Sequence, residues 1–198
     1  MLGCDLVKAL DGQDVTALPH DKLDILDRAA VLDAVRGHDV VVNAAAWTDV
    51  DGAESNVEAA TAVNGTGVGN LAHACHRLHS RLLHVSTDMV FPGDAETPYS
   101  ESSPTGPINA YGWSKLVGEQ AIHATLPESG YIVRTSWLYG ASGRNFVATM
   151  LGLAVERETI SVVDDQSGQP TWSYALAERL VLLGGAATAG RAPGGIYH

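Results

Sequence analysis

Ser86-Thr87 and, 24 residues beyond Thr87, Tyr111-Gly-Trp-Ser-Lys115 are the residues whose types and spacing most directly suggest chemistry. Residues four apart share one face of a helix, so Tyr111 and Lys115 would be neighbours there. A phenol titrates near pH 10 in isolation and is a poor proton donor or acceptor at neutral pH unless its anion is stabilised (about 10). An ammonium group one turn away would supply that stabilisation and draw the phenol toward the working range. The Thr87 hydroxyl would then bond the same substrate oxygen. Tyr and Lys at this spacing also occur on any amphipathic helix; the strand-end Ser-Thr upstream is what adds weight.

Other clusters have plainer readings. Asp51-Gly-Ala-Glu54 has the spacing of a helix N-cap with a reciprocal acid three residues on, which is preferred to a catalytic carboxylate pair. His73, Cys75, His76 and His79 suggest zinc, but at helical angles the histidines lie opposite Leu71, Cys75 and Leu78, as on a solvated face. Asp164-Asp165 reads as a polar strand exit. No resident metal is expected.

The elements that must position Thr87, Tyr111 and Lys115 alternate along the chain. Val15–Leu18 reads as a short strand, Asp27–Arg36 as a helix and Asp39–Ala46 as a strand. Ala53–His79 is helical in tendency, and Arg81–Thr87 is a strand before a Pro/Gly/Ser-rich loop from Pro92 to Pro107. Ala110–Ala124 is helical, Tyr131–Leu138 strand-like, Asn145–Glu156 helical, Thr159–Val163 a strand and Ser173–Ala187 a last helix. Strands that are apolar nearly throughout and alternate with helices indicate α/β architecture with a doubly wound parallel sheet. Such sheets bind ligands beyond the carboxyl ends of their strands, here just after Ala46, Thr87 and Ser136. The expected division is a dinucleotide-binding domain over residues 1–138 and part of a smaller substrate-binding lobe over 139–198, interleaved with the first.

The 198 residues, 45% hydrophobic and 18% charged, are enough for a real core and exclude a disordered chain. A formal charge of −11 disfavours nucleic acid and acidic membranes as partners. No apolar run is long enough for a membrane span. Cys4 and Cys75 are too few for a disulfide framework, which points to a cytoplasmic location.

The Ser-Thr, Tyr-x-x-x-Lys combination resembles the short-chain dehydrogenase/reductase superfamily, in its extended, nucleotide-sugar-modifying branch. Within it, Val42–Thr48, Val50–Glu54, Ser86–Gly93, Pro107–Glu119, Arg134–Gly140, Asn145-Phe146 and Asp165–Thr171 are similar to the dTDP-4-dehydrorhamnose reductases. The resemblance implies a Rossmann-like fold and transfer of hydride from NADPH or NADH to the 4-keto carbon of a dTDP-4-keto-6-deoxyhexose, giving dTDP-L-rhamnose. It implies Tyr111 as the acid, with Lys115 as its partner and a cofactor-ribose ligand, and Thr87 as the third member. Met1, Leu2, Gly3, Asp24, Ile25, Ala45, Ala46, Thr48 and Ser86 would also meet the cofactor. Val50, Thr87, Asp88 and Trp137 would face the sugar. In some of these reductases an acidic residue matching Asp5 helps hold Mg²⁺ at a dimer contact, so Mg²⁺ and a homodimer enter as minor expectations. Related dehydratases carry a second acid after the Thr-Asp pair, where this chain has Met89; reduction is favoured, although an epimerase is still open. A non-catalytic, cofactor-binding subunit like the methionine adenosyltransferase regulatory subunit is the rival from another class.

The family opens with a strand and Gly-x-x-Gly-x-x-Gly. Here Gly3 aligns with the third glycine, and the first strand and first two glycines are absent. The turn brings backbone against a pyrophosphate at a helix N-terminus. Gly195–His198 resembles a strand after which the family continues. Truncation at both ends is therefore expected.

Overall fold

The computed structural model describes residues 1–198. Helix α1 (Leu2–Ala9) comes first, followed by an irregular stretch and α2 (Arg28–Val35). Asp27 starts α2 because its carboxylate accepts the Ala29 and Ala30 N–H groups, two donors that a helix leaves orphaned. Strand β1 (Val40–Asn43) leads to α3 (Val50–Ser55), α4 (Val57–Thr61), a π-helical turn (Ala62–Gly67) and α5 (Val68–Leu78). Then come β2 (Arg81–Thr87), a 3₁₀ turn (Asp88–Val90), α6 (Ala110–Thr125) and β3 (Gly130–Thr135). The chain ends with β4 (Leu138–Tyr139), α7 (Phe146–Glu156), β5 (Thr171–Trp172), α8 (Ser173–Thr188) and β6 (Gly195–Tyr197).

The main sheet is parallel throughout, in the order β1-β2-β3-β6. Each face is covered. Val31, Val35, Leu71, Cys75 and Ile122, from α2, α5 and α6, pack with Leu82 and Ile132 on one face. Leu2, Leu6, Leu176 and Leu180, from α1 and α8, pack with Leu83, Tyr131 and Val133 on the other. Successive strand residues point to opposite faces, so Leu82 and Leu83 belong to different cores. This is the doubly wound α/β arrangement. No helix is long and apolar enough to cross a membrane.

Several local expectations change. Val15–Leu18 is irregular, with Val15 and Leu18 exposed, because no neighbouring strand pairs with it. Accordingly β1 is an edge strand, hydrogen-bonded to β2 alone. Thr159–Val163 is also irregular, exposed except at half-buried Ile160, and again without a strand partner. The single helix expected over Ala53–His79 is broken at Asn56, whose φ of −136° is not helical, and at the π turn. The strand expected to reach Leu138 stops at Thr135; Trp137, with φ of 46°, turns the chain into β4, which pairs with β5 in a separate two-stranded sheet. Segments α8 and β6 return to the main sheet, leaving residues 138–172 as an excursion from it.

Candidate active site

Thr87 ends β2, the inner strand between β1 and β3, so its side chain stands at the carboxyl edge of the sheet. Its hydroxyl donates to Asp88 Oδ1 at 3.1 Å and accepts the Met89 N–H at 3.2 Å, which closes the 3₁₀ turn. Helix α6 brings Tyr111 to this turn. Close approach requires Gly112, because a Cβ there would lie 2.2 Å from the Met89 carbonyl oxygen. At Gly118 a Cβ would meet the Asn64 carbonyl oxygen at 2.2 Å, so the same helix is also seated against the π turn.

Hydrogen bonds hold the start of α6. The Asn109 side chain accepts the Gly112 N–H at 2.7 Å, and Glu54 Oε1 accepts the Ala110 N–H at 2.8 Å. The capping role expected for Asp51 and Glu54 is thereby corrected. Asp49, not Asp51, caps α3 by accepting the Gly52 N–H, and Glu54 reaches across to cap α6. Buried Asn64 ties three elements together. It accepts the Trp47 N–H at 2.9 Å and donates both to the Trp47 carbonyl and to Ser114 Oγ. Thus the loop after β1 and the helix bearing Tyr111 share one anchor. Sequence reasoning passed over Asn64; a polar residue between apolar positions of a helix, followed by glycine, was its only trace.

Burial pushes the Tyr111 phenol up to about 12, the Thr87 hydroxyl opposes that shift and the Asp88 charge adds to it. The expected depression by Lys115 does not occur. The Lys115 amine points down into the floor instead, donating to the Val85 carbonyl at 2.7 Å and lying 3.3 Å from His84 Nε2. Burial lowers this amine to about 8, with Glu119 opposing. Asp88, half-buried, is raised, chiefly by desolvation.

The other expected ligand residues divide. Ala45, Ala46 and Thr48 lie in the loop beyond β1, exposed or half-exposed, and the Ala45 N–H is held by Asn43 Oδ1 at 3.0 Å. Gly3 is exposed in the first turn of α1, and Met1 lies against Gly140 and Gly143. The Leu2 side chain is core, which leaves only its backbone for a ligand. Ile25 is also core, packed against Gly67, and Asn70 binds its carbonyl. Asp24 is exposed and accepts the Leu26 N–H. The Ser86 hydroxyl donates to buried Glu119. Glu119 also receives Arg134 Nε at 3.0 Å and Nη2 at 2.7 Å. The third guanidinium nitrogen, Nη1, has no hydrogen-bond partner, while the group stacks 4.9 Å from the Phe91 ring centre. Val50 begins α3, and Trp137 lies exposed beyond β3 against Gly168.

Asp5 is corrected as a Mg²⁺ ligand. It is only 4% exposed, and its carboxylate accepts Ser173 Oγ at 2.6 Å and Lys8 Nζ at 3.3 Å. Its role is to join α1 to α8. Among the residues whose types suggested zinc, Cys75 is a core residue whose thiol burial raises to about 12, and His73 pairs with Arg28.

A carboxyl-edge site on a doubly wound sheet, built from a strand-end Thr and a helical Tyr-Lys pair, defines a class of α/β ligand-binding proteins. The chain belongs to the family of the RmlD substrate binding domain, whose profile matches residues 1–198. A dTDP-4-dehydrorhamnose reductase from Streptomyces griseus is 56% identical over 202 residues, which cover 100% of this chain and 66% of that protein. The reductase of the same name from Mycobacterium tuberculosis H37Rv is 50% identical over 188 residues, covering 92% of this chain and 62% of that protein. The crystal structure of a dTDP-4-dehydrorhamnose reductase from Bacillus anthracis in complex with NADP superposes with a TM-score of 0.92 at 39% identity, covering 100% of this chain and 70% of that one. The chain thus spans somewhat less than two thirds of the length of these curated relatives.

Proposed function

We propose that the chain carries the catalytic helix and sheet edge of an NAD(P)H-dependent nucleotide-sugar reductase. The substrate is dTDP-4-dehydro-L-rhamnose and the product dTDP-L-rhamnose. The observation that carries this reading is the seating of Tyr111 and Lys115 on α6 at the end of β2, beside Thr87 and Asp88. The names of the relatives support the substrate class, and NADP in the Bacillus anthracis structure favours the phosphorylated cofactor.

The residues present fit such a cofactor. Exposed Gly3 in the first turn of α1, the small residues Ala45 and Ala46, Thr48 and the exposed Asp24 leave room along the carboxyl edge. Backbone N–H groups of Met1, Leu2 and Gly3 would meet its phosphates at a helix N-terminus. When bound, the cofactor supplies the hydride.

This chain supplies the proton. Because burial holds the Tyr111 phenol near 12, it is protonated at neutral pH and poised to donate to the 4-oxygen as that oxygen gains negative charge. An alkoxide is a stronger base than a phenolate, so the transfer runs toward the sugar. Thr87 would hydrogen-bond the same oxygen, and Lys115 would support Tyr111 from below. Val50, Asp88 and Trp137 would face the sugar, with residues 138–172 forming part of its lobe. Met89 provides no second acid beside Asp88. The lack of that acid favours reduction over dehydration, while the Met89 carbonyl packs against Gly112 and its sulfur receives a long contact from Asn109.

The direct test follows NADPH absorbance after addition of the keto-sugar nucleotide. Turnover is expected, and Tyr111→Phe should lower it by about 100- to 10,000-fold while NADPH affinity stays within about two-fold. Full activity in Tyr111→Phe would remove Tyr111 from the acid role. NADPH binding with no turnover in the parent protein would instead favour the binding-subunit reading.

A further inference from the structure

His84 takes no part in the chemistry above, yet its imidazole is fully buried between two functional residues. Asn43 Nδ2 lies 3.0 Å from Nδ1, and Lys115 Nζ lies 3.3 Å from Nε2. The Asn43 amide has one orientation here, because its oxygen accepts the Ala45 N–H at 3.0 Å. The group it turns toward His84 is therefore the NH₂ donor. A neutral imidazole has one N–H and one lone pair. With the lone pair at Nδ1 taken by Asn43, the N–H stands at Nε2 and points at Lys115. Lys115 can accept that N–H only with the lone pair of an uncharged amine, while one of its own N–H groups goes to the Val85 carbonyl. An ammonium would set donor against donor, unless the imidazole moved its proton to Nδ1 and faced the Asn43 NH₂ instead.

We propose that His84, oriented by Asn43, is a positioning residue that weakens the hold of Lys115 on its proton and directs its amine to the Val85 carbonyl. The proposal rests on the reading in which Lys115 serves Tyr111. Charging Lys115 then requires the Asn43–His84–Lys115 chain to rearrange as a unit, so the loop that holds Ala45 is linked to the proton state beneath Tyr111. Burial acts on both groups in the same sense, lowering Lys115 to about 8 and His84 well below its usual range. The charged groups about this chain are Glu119 on α6, which acts on Lys115, and Arg134 on β3, which Glu119 holds. Of these, Glu119 favours the ammonium, against His84.

The first experiment needs no turnover. In protein labelled with ¹⁵N-histidine, ring-nitrogen shifts report each tautomer, and the His84 signals are those lost in His84→Gln. His84 should be the Nε2–H tautomer at pH 9, above the Lys115 value of about 8, and Asn43→Asp, which offers Nδ1 an acceptor, should convert it to Nδ1–H. An Nδ1–H tautomer in the parent protein at pH 9, or an imidazolium there, overturns the proposal. If His84→Gln does not fold, the signals that change in Asn43→Asp identify His84. The second experiment is the pH profile of NADPH oxidation. In His84→Gln the side-chain carbonyl can accept from the ammonium, so the limb near pH 8 should move up by about one unit. A loss that is uniform across pH would mean a structural role only. Absence of any keto-sugar reduction would defeat the proposed function, and the tautomer would still decide the role of His84.

Discussion

The two faces of the main sheet are built from alternate residues of the same strands, yet they solve different problems. Beneath α1 and α8 the face is apolar, with Leu83, Tyr131, Val133, Leu176 and Leu180 in one cluster. Beneath α6 the carboxyl half carries His84, Ser86, Arg134, Lys115 and Glu119, all buried. Nearly every polar atom there has a partner: His84 with Asn43 and Lys115, and Ser86 and Arg134 with Glu119. Buried polar groups are costly unless satisfied, so a network of this kind persists only as a connected set. One face supplies cohesion by burying area; the other holds a few side chains in single orientations at the edge where Tyr111 works.

The contrast can be broken one member at a time. The largest stability loss should follow Glu119→Ala, which strands the Arg134 guanidinium and the Ser86 hydroxyl in the interior. About 3–5 kcal/mol is expected in chemical denaturation. On the apolar face, Leu180→Ala should cost about 2–4 kcal/mol through lost burial and a cavity, without altering any pH dependence. If Glu119→Ala costs less than Leu180→Ala, the polar face is not the connected set described.

A smaller effect separates the faces by pH. Lys115 is held at about 8 against an ordinary 10.5, so between these values the unfolded chain binds more protons and stability rises with pH. From pH 8 to 9, before Cys75 with its ordinary 9.0 ionises in the unfolded chain, the slope should be positive and at most about 1.4 kcal/mol per pH unit. Lys115→Met should flatten it in urea titrations, whereas Leu180→Ala should not. His84 acts at the acid end with the same sign: its folded value is depressed, so its contribution is lost as pH falls below 6.5. The smallest effect belongs to neither face. Val155 on α7 is 88% exposed, and Val155→Lys should change stability by less than about 0.5 kcal/mol.

Much of this was legible in the residues. Asp27, Asn109 and Asn145 stand where caps were needed, and each accepts the N–H it faces, so α2, α6 and α7 begin within a residue of expectation. Arg81–Thr87 is the strand its apolar run indicated. The position of Thr87 at a strand end, and of Tyr111 and Lys115 one turn apart on a helix, followed from local periodicity. What failed was of another kind. Val15–Leu18 and Thr159–Val163 have strand-like residues but no strand beside them, and a β-strand has no hydrogen bonds of its own to close.

The division is physical. Helix periodicity, capping side chains and the spacing of Tyr111 and Lys115 depend on residues within a turn or two, and the sequence by itself determined them. The direction of the Lys115 amine, the proton state of Tyr111, the commitment of Ser86 to Glu119 and the place of His84 between Asn43 and Lys115 depend on groups 23 or more residues apart. Only the tertiary structure decided those, because burial and hydrogen-bond partners are properties of the packed interior and not of any one segment.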